Sequence, residues 1–194
     1  MINIDKEIQS YGQETKVPIS LFDTISFVCD TINKNSCKEI LEIGTAIGFG
    51  SITMVENTNL AHIDTVELDG NRYNLALKNI KNHNLNDKIT VYHMNAIDYL
   101  KANKKKYDFI YLDGPKGQYI NYLPYLKKAL KSGGIIVADN LHFHGMVTGE
   151  IPVSKGCRAM IKGLKNYISA ITSDNELESE ILNIGDGLGV TKLK

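Results

Sequence analysis

The sequence is poor in cysteine, and its cysteines lack the close pairing of a zinc or redox motif. Its 194 residues contain three, Cys29, Cys37 and Cys157, which is an odd number. Cys29 and Cys157 lie among apolar residues, so we expect packed thiols there. This usage favours the reducing cytoplasm as the compartment.

The chain also lacks an excess of charge and any long apolar run. Lysine plus arginine and aspartate plus glutamate both number 22, so the formal net charge is zero. A nucleic acid would have to bind at a local basic patch, because there is no global attraction to polyanions. No run approaches a membrane span and residues 1–16 have no apolar core of a signal peptide, so we expect a cytoplasmic protein without membrane contact.

What the sequence does contain is an alternation of strand-like and helical segments. It shows no repeat, low-complexity tract or Pro/Gly linker, so we expect residues 1–194 to form a single domain. Its strand-like runs are almost continuously hydrophobic, as in parallel strands covered on both faces. The alternation predicts an α/β fold with a doubly wound, mostly parallel sheet. The strand-like runs are residues 38–44, 62–68, 88–94, 107–113 and 134–139.

The two ends of the chain depart from this alternation. An amphipathic segment, residues 18–32, precedes the first strand within an N-terminal cap helix region, residues 1–35. After the fifth strand come an irregular stretch, residues 141–154, and a helix at residues 155–171. The segments ESEILNI and GVTKLK then flank the turn GDGLG, which predicts an antiparallel hairpin.

The most informative motif is EIGTAIGFG, which follows the first strand and opens a helix. Its glycines are Gly44, Gly48 and Gly50, a spacing that differs from the dinucleotide fingerprint G-x-G-x-x-G. In a doubly wound sheet this turn lies at the carboxyl edge, where cofactors bind, and glycine lets the backbone approach a ligand closely. The alternative is a tight strand-to-helix turn without a ligand.

Two further signals follow the next strands. Glu67 ends the second strand, where an acidic side chain can accept hydrogen bonds from ribose hydroxyls. Asn95 and Ala96 follow the third strand at the same edge, where an adenine would lie. Glu67 alone is equally compatible with a solvated charge at a strand end, but the three signals together indicate a nucleoside-bearing cofactor.

Carboxylates and an amide end the fourth and fifth strands. Asp113 and Lys116 lie in LDGPKGQY, and Asp139 and Asn140 lie in VADN. Adjacent parallel strands are about 4.8 Å apart, so these side chains can converge on one point. They are hard ligands suited to Mg²⁺. The alternatives are an Asp113 that contacts only the cofactor, an ordinary strand-to-turn pair at residues 139–140, and a surface lysine at 116.

EIGTAIGFG, the Glu67 strand end and the closing hairpin resemble class I S-adenosylmethionine methyltransferases, whose seven-stranded sheet has a reversed last strand. The resemblance covers the chain from about residue 16 onward. It implies that Glu67 binds the ribose and that Asn95 and Ala96 bind the adenine. It also implies methionine contacts from Glu42, Gly44, Thr45, Ala46 and Gly48, and closure of the methionine end by Val17.

One position departs from that pattern. Where related enzymes carry a serine for the methionine carboxylate, this chain has Gly50, followed by Ser51. Either Ser51 or backbone N–H groups would then hold the carboxylate.

DGPK followed by ADN resembles the cation-dependent O-methyltransferases, which include catechol and caffeoyl-CoA methyltransferases. The resemblance implies that Asp113, Asp139 and Asn140 bind Mg²⁺ or Mn²⁺ and that Asp113 also lies near the cofactor. It further implies that Lys116 is the base. A metal that chelates two neighbouring acceptor oxygens lowers the hydroxyl pKa and fixes its direction. Tyr119, in the same loop, would line the acceptor site or cap a helix, and we favour the cap.

KVPI, EIGTAIG, DGPKGQY, DNLHFHGMV and IGDGLGV are similar to a bacterial branch of this family, the tRNA 5-hydroxyuridine methyltransferases, which form 5-methoxyuridine at the wobble position. The 5-hydroxyl and 4-carbonyl of that base are adjacent oxygens that can chelate a metal as a catechol does. The resemblance implies tRNA as the partner.

A basic stripe agrees with that partner. Lys155, Arg158, Lys162 and Lys165 recur three and four residues apart on the helix after the metal strands. The alternative is a solvated helix face in a lysine-rich protein. His142 and His144, beside Asn140, would contact the acceptor or pack a lid.

Three functional hypotheses remain at this point. The first is an enzyme acting on tRNA, and the second is an enzyme acting on a small catechol-like or other vicinal-oxygen acceptor. The third is a non-catalytic nucleotide- or RNA-binding module that has kept only the fold. The sequence leaves open whether the protein forms a homodimer.

Overall fold

A computed structural model describes residues 2–194, which form a seven-stranded sheet of order β3-β2-β1-β4-β5-β7-β6. Strands β1 to β5 are parallel, β7 is antiparallel to β5, and β6 is antiparallel to β7. The predicted fold class and the C-terminal hairpin are confirmed. The strands are β1 (Glu39–Ile43), β2 (His62–Glu67), β3 (Ile89–His93), β4 (Tyr107–Leu112), β5 (Leu130–Ala138), β6 (Leu177–Leu182) and β7 (Leu188–Leu193).

The helices cover both faces of this sheet. Short 3-10 turns at Lys116–Gln118 and Lys155–Cys157 lead directly into α6 and α7. Residues 141–154 contain neither helix nor strand, as predicted. The helices are α1 (Lys6–Thr15), α2 (Phe22–Lys34), α3 (Phe49–Asn57), α4 (Gly70–Asn82), α5 (Ala96–Ala102), α6 (Tyr119–Ala129) and α7 (Arg158–Ser173).

Two apolar clusters explain why the strand sequences are hydrophobic at nearly every position. Alternate side chains of a strand point to opposite faces. Leu41 and Ile43 therefore pack with α5, α6 and α7 on one face, while Ile40 packs with α2, α3 and α4 on the other. Both faces of the sheet are buried.

The N-terminal region differs from the prediction. The helix expected at residues 18–32 begins only at Phe22, and residues 17–20 are not helical. Helix α1 was not predicted, because most of its residues are polar and it buries only Ile8 and Gly12. Its N-cap is Asp5, whose carboxylate accepts a 2.7 Å hydrogen bond from the Ile8 N–H.

Three smaller observations complete the fold. Strand β5 begins at Leu130 rather than 134, and its pairing with β4 is irregular between Tyr107 and Phe109. Cys29 is buried as expected, whereas Cys157 is only half-buried. Within the described part of the chain, every helix is too short or too polar to cross a membrane.

Candidate active site

A cavity of about 890 Å³ opens at the carboxyl edge of the sheet, a size typical of cofactor pockets. Segments that follow β1, β2, β3 and β4 line it, together with residues 18–20 of the segment before α2. The cavity brings together most of the predicted cofactor residues. The predicted residues that line it are Glu42, Gly44, Thr45, Ala46, Gly50, Glu67, Asn95, Ala96, Asp113 and Lys116.

The loop after β1 has a backbone that only small residues tolerate. Gly44 has φ +107°, and a Cβ there would lie 2.5 Å from the carbonyl oxygen of Asp113. Its N–H donates to the Val66 carbonyl at 3.1 Å, which holds the loop against the end of β2. Glycine at 44 therefore lets three strand ends meet closely beside the cavity.

Glu67 fixes this loop from the end of β2. Its carboxylate accepts hydrogen bonds from the N–H groups of Ala46, Leu68 and Asp69, at 2.8, 2.9 and 2.8 Å. An ionised carboxylate has about four lone-pair sites. Glu67 therefore holds the loop and keeps room for a ligand hydroxyl at the cavity wall.

Glu42 is buried below the cavity. It accepts hydrogen bonds from the hydroxyls of Ser51 and Thr65, the latter at 2.6 Å. Burial raises the pKa of Glu42 to about 7, although both hydrogen bonds oppose the shift. A Cβ at Gly50 would meet this carboxylate, so a serine there would require the Glu42 side chain to shift.

Three of the predicted cofactor residues do not line the cavity. Ser51 is fully buried and its hydroxyl is turned to Glu42, so it does not reach the cavity. Gly48 is the N-cap of α3 and lies against Ala76 of α4 rather than at the wall. Val17 packs on the apolar cluster beside α2, and its neighbours Pro18, Ile19 and Ser20 line the cavity instead.

Asn95 and Ala96 form the wall at the end of β3. The Asn95 side chain caps α5 by accepting a 3.1 Å hydrogen bond from the Ile97 N–H. Ala96 begins α5 and is buried. The cap fixes where the helix starts, and thereby places both residues at the cavity.

The carboxylates after β4 and β5 lie beside the same pair of hydroxyl groups. The Lys116 ammonium donates to Asp113 at 2.6 Å, and the Ser20 hydroxyl lies 3.4 Å from the other Asp113 oxygen. The Tyr111 hydroxyl donates to Asp139 at 3.3 Å. Burial raises the pKa of Asp139 to about 7, and the negative charge of Asp113 adds to the shift.

Asn140 completes the predicted metal set. Its φ is +60°, its N–H donates to Asp139 at 2.7 Å, and its side-chain nitrogen donates to Asp186 at 3.4 Å. Neither of these hydrogen bonds uses the side-chain oxygen, which is therefore available to a ligand. Across residues 2–194 no group of three or more His, Cys, Asp and Glu is arranged to hold a metal; the set here is two carboxylates and an amide.

These groups fit a divalent cation. Hard oxygen ligands suit Mg²⁺, and a cation would offset the repulsion between a buried carboxylate and a second one nearby. Asp139 and Asn140 lie outside the cavity wall, whereas Asp113 and Lys116 are part of it. Asp113 is thus the residue common to the cavity and the carboxylate pair.

Tyr119 is the first residue of α6, whose N-cap is Gln118, so the predicted helix cap is wrong, and Tyr119 does not line the cavity either. Its buried hydroxyl lies 3.0 Å from the Leu112 carbonyl and 3.3 Å from the Asp139 carbonyl and shares its one hydrogen between them. It thereby ties together the ends of β4 and β5, where the two carboxylates are.

The predicted acceptor residues are not at the cavity. His142 is half-buried against Gly187, and His144 has a side chain that is 73% exposed. Asp186, in the hairpin turn, accepts from the His144 N–H at 2.8 Å and from Asn140. Sequence reasoning missed Asp186, because only the turn itself was visible as a signal.

The predicted basic stripe is exposed on α7 and the turn before it. Its side chains are those of Lys155, Arg158, Lys162 and Lys165. The N-terminal half of α7 packs on the loop that carries Lys116. A Cβ at Gly163 would lie 2.8 Å from the Gly117 carbonyl oxygen, and one at Gly117 would lie 3.4 Å from Met160. The stripe is therefore anchored beside the Lys116 loop.

The sheet with its reversed last strand, and the cavity at its carboxyl edge, define a class I methyltransferase. A family model described as O-methyltransferase matches residues 7–194, so the chain belongs to the O-methyltransferase family. It is an S-adenosylmethionine-dependent enzyme that transfers a methyl group to oxygen. This favours an enzyme over the non-catalytic module.

Plant relatives and bacterial structures agree with this family assignment. The chain is 31% identical to tapetum-specific methyltransferase 1 of Arabidopsis thaliana, over 93% of this chain and 80% of the relative. It is 25% identical to a Populus kitakamiensis caffeoyl-CoA O-methyltransferase, with the same coverage. A Staphylococcus aureus structure, provisionally named a caffeoyl-CoA O-methyltransferase, has a TM-score of 0.91 at 27% identity, covering 97% of this chain and 91% of that one. The fold also matches a Bacillus cereus O-methyltransferase in complex with SAH, with a TM-score of 0.85 at 21% identity, covering 97% and 90%.

Proposed function

We propose that the enzyme methylates an acceptor oxygen held on Mg²⁺ or Mn²⁺ by Asp113, Asp139 and Asn140. One observation carries this proposal: the Asp113 and Asp139 carboxylates lie on one buried hydroxyl pair, and Asp113 also lines the cofactor cavity. When bound, the metal would lower the pKa of the acceptor hydroxyl and fix its direction.

Different residues of the cavity bind different parts of the cofactor. Glu67 accepts from the ribose hydroxyls, and Asn95 with Ala96 borders the adenine. Glu42 faces the methionine ammonium, whose charge would favour the ionised carboxylate. Backbone N–H groups of the loop after β1 hold the methionine carboxylate, since Ser51 is turned away and Gly50 has no side chain.

Lys116 acts on the acceptor proton. Its ammonium is 2.6 Å from Asp113, at the wall of the cavity. From there it can reach an acceptor that is held beside the Asp113 and Asp139 carboxylates. It either takes the hydroxyl proton or steadies the oxyanion while it remains charged.

The acceptor we propose is 5-hydroxyuridine at the tRNA wobble position. The motif resemblance supports it, and so does the exposed stripe of Lys155, Arg158, Lys162 and Lys165 on a helix that packs against the Lys116 loop. Basic side chains beside the reacting edge suit the phosphates that flank a target nucleotide.

A second candidate acceptor is a small molecule with neighbouring oxygens. It is favoured by relatives that are named caffeoyl-CoA O-methyltransferases and are 25–27% identical over most of the chain. The same pair of carboxylates would serve either acceptor.

Assays with labelled S-adenosylmethionine distinguish the tRNA acceptor from the small-molecule acceptor. We expect label in tRNA that carries 5-hydroxyuridine when Mg²⁺ is present, none in tRNA that lacks the 5-hydroxyl, and weak turnover of catechols and hydroxycinnamoyl thioesters. EDTA should stop transfer and added Mg²⁺ or Mn²⁺ should restore it. Robust catechol turnover with none on the tRNA would reject the tRNA acceptor, and full activity in EDTA would reject the metal.

A further inference from the structure

Two hydroxyl groups from distant parts of the chain lie between the two carboxylates. The Ser20 and Tyr111 hydroxyl oxygens are 2.9 Å apart. Ser20 is 3.4 Å from an Asp113 oxygen, and Tyr111 is 3.3 Å from an Asp139 oxygen. The four side chains thus form one continuous chain of polar contacts, Asp113–Ser20–Tyr111–Asp139, in which the two hydroxyls supply two hydrogens.

Strand geometry explains why Tyr111 is there. It lies in β4, two residues before Asp113, which follows the strand directly and donates its N–H to the Ile43 carbonyl of β1 at 2.9 Å. Side chains two apart along such extended backbone share a face. On that face it packs with the apolar cluster of α2, α3 and α4. Ser20 enters from the segment that precedes α2 and lines the cofactor cavity. The chain therefore joins that segment to the ends of β4 and β5.

Packing alone does not require a phenol at position 111. Tyr111 is fully buried, and the strand neighbour on the same face, Phe109, fills its site without a hydroxyl. A buried hydroxyl stabilises a protein only when it is hydrogen-bonded. Each hydroxyl has one hydrogen, so when Tyr111 donates to Asp139, the Ser20 hydrogen is left for Tyr111 or Asp113.

We propose that Tyr111 and Ser20 are positioning residues that hold the Asp113 and Asp139 carboxylates at the spacing that a divalent cation needs. This inference rests on the metal-dependent function proposed above. Neither hydroxyl is itself a ligand; each acts through the carboxylate that it contacts. Hydrogen bonds to ligating carboxylates orient them, and their loss commonly lowers metal affinity 10- to 100-fold.

Tyr167 provides a matched control. It is also fully buried, but its hydroxyl has no hydrogen-bond partner within the described residues. It packs in the cluster on the opposite face of the sheet, edge-on to Tyr119. Tyr167→Phe therefore removes the same atom from a comparable apolar environment without touching the carboxylates.

The experiment measures Mn²⁺ affinity of the purified enzyme by the electron paramagnetic resonance signal of free Mn²⁺, with neither cofactor nor acceptor. We expect Tyr111→Phe to weaken Mn²⁺ binding about 10-fold or more and Ser20→Ala to weaken it less. Ser20→Thr, which keeps a hydroxyl, should bind better than Ser20→Ala, and Tyr167→Phe should bind as the wild type does. The double variant of Tyr111→Phe with Ser20→Ala should weaken binding by less than the product of the single effects, since both break one chain.

The outcomes separate this inference from the proposed function. If the wild type binds no Mn²⁺, both are overturned. If the wild type binds Mn²⁺ and folded Tyr111→Phe binds it equally well, only the positioning role is overturned. Thermal melts establish folding at the assay temperature, and a Ser20→Ala effect that multiplies fully with that of Tyr111→Phe would also contradict a shared chain.

Discussion

The two sides of the candidate site are built differently. On the cofactor side, Gly44 and Ala46 lie in the loop after β1, and Glu67 ends β2. Backbone N–H groups of this loop hold it in place by donating to the Val66 carbonyl and the Glu67 carboxylate. On the metal side, the carboxylates depend on side-chain contacts with Ser20 and Tyr111, and Asn140 depends on Asp186 in the hairpin turn.

The backbone shows the same contrast. After β5, three residues without glycine's freedom have left-handed backbone angles, namely Asn140, Phe143 and His144, with φ of +60°, +43° and +54°. Such conformations persist only where their surroundings hold them. On the cofactor side the comparable angles fall mainly on glycines. The difference teaches that the cofactor cavity is built by local sequence, and the metal side by packing between distant segments.

The largest expected effect comes from Lys116, where the two sides meet. Lys116→Met should lower the single-turnover rate of methyl transfer by roughly 10²–10⁴-fold, the usual range for a positioned acid or base, while cofactor affinity changes little. A loss of the basic limb of the rate–pH profile would indicate proton transfer, and a uniform drop would indicate electrostatics. An unaltered rate would make Lys116 a surface lysine.

Asp139→Ala should show most clearly that the cofactor side and the metal side of the site act independently. Asp139 lies outside the cavity wall, so the variant should lose at least about 100-fold in turnover and still bind S-adenosylhomocysteine as the wild type does, measured by calorimetry. Asp87→Ala, at an exposed position on the loop before β3, is the control and should keep full activity. If Asp139→Ala loses cofactor affinity as much as turnover, the two sides are not separate.

The same contrast sets the limit of prediction from sequence. The strands and the glycine loop could be predicted, because their signals are local: hydrophobic runs, and glycines or polar residues where each run ends. Val17, Gly48 and Ser51 lie next to cavity residues without lining the cavity themselves, and a motif does not show which way a side chain turns. Spacing found Asp113 and Asp139 because adjacent parallel strands end together.

What could not be predicted arises from tertiary contacts. Ser20 lies 91 residues from its partner Tyr111, and Asp186 lies 46 residues from Asn140. Tyr111 carried a weak signal, its position two residues before Asp113 on a strand. Helix α1 was missed because so little of it is buried.

Glu42→Gln should stabilise the folded protein at pH 8 and weaken cofactor binding, which tests the cofactor side of the site. The ordinary glutamate pKa is about 4.3, and burial raises that of Glu42 to about 7. Between these values the folded protein holds a proton that the unfolded chain has released, so stability falls as pH rises through this window and the loss is complete above it. Glutamine stays neutral, so at pH 8 the variant should be more stable than the wild type by up to about 3 kcal/mol, with no gain near pH 4.

Two measurements test this. Thermal or urea unfolding of both proteins at pH 4 and pH 8 should show the gain at pH 8 alone. Calorimetry should show weaker S-adenosylhomocysteine binding, because the ammonium of the methionine portion loses its charged partner. A variant that is less stable at pH 8 would mean that the Ser51 and Thr65 hydrogen bonds outweigh the burial of the charge.

The smallest expected effect concerns the edge of the metal side, where tRNA phosphates would bind. Arg158 and Lys162 are exposed on α7, which packs on the Lys116 loop. If both contact phosphates, replacing both with alanine should lower the slope of log affinity against log salt by about two units and raise the KM for tRNA at moderate salt. Turnover of any small acceptor should not change, because neither residue lines the cavity.

The matched control removes the same charge elsewhere. Lys101 and Lys128 are exposed near the C-terminal ends of α5 and α6, at the sheet edge opposite the cavity. Their double alanine variant lowers the net charge equally, so a general electrostatic attraction would weaken tRNA binding as much as the α7 variant does. A local phosphate contact on α7 predicts that only the Arg158 and Lys162 variant changes the salt slope by two units. If both variants show the same slope of log affinity against log salt, the stripe is an ordinary solvated helix face without a phosphate contact.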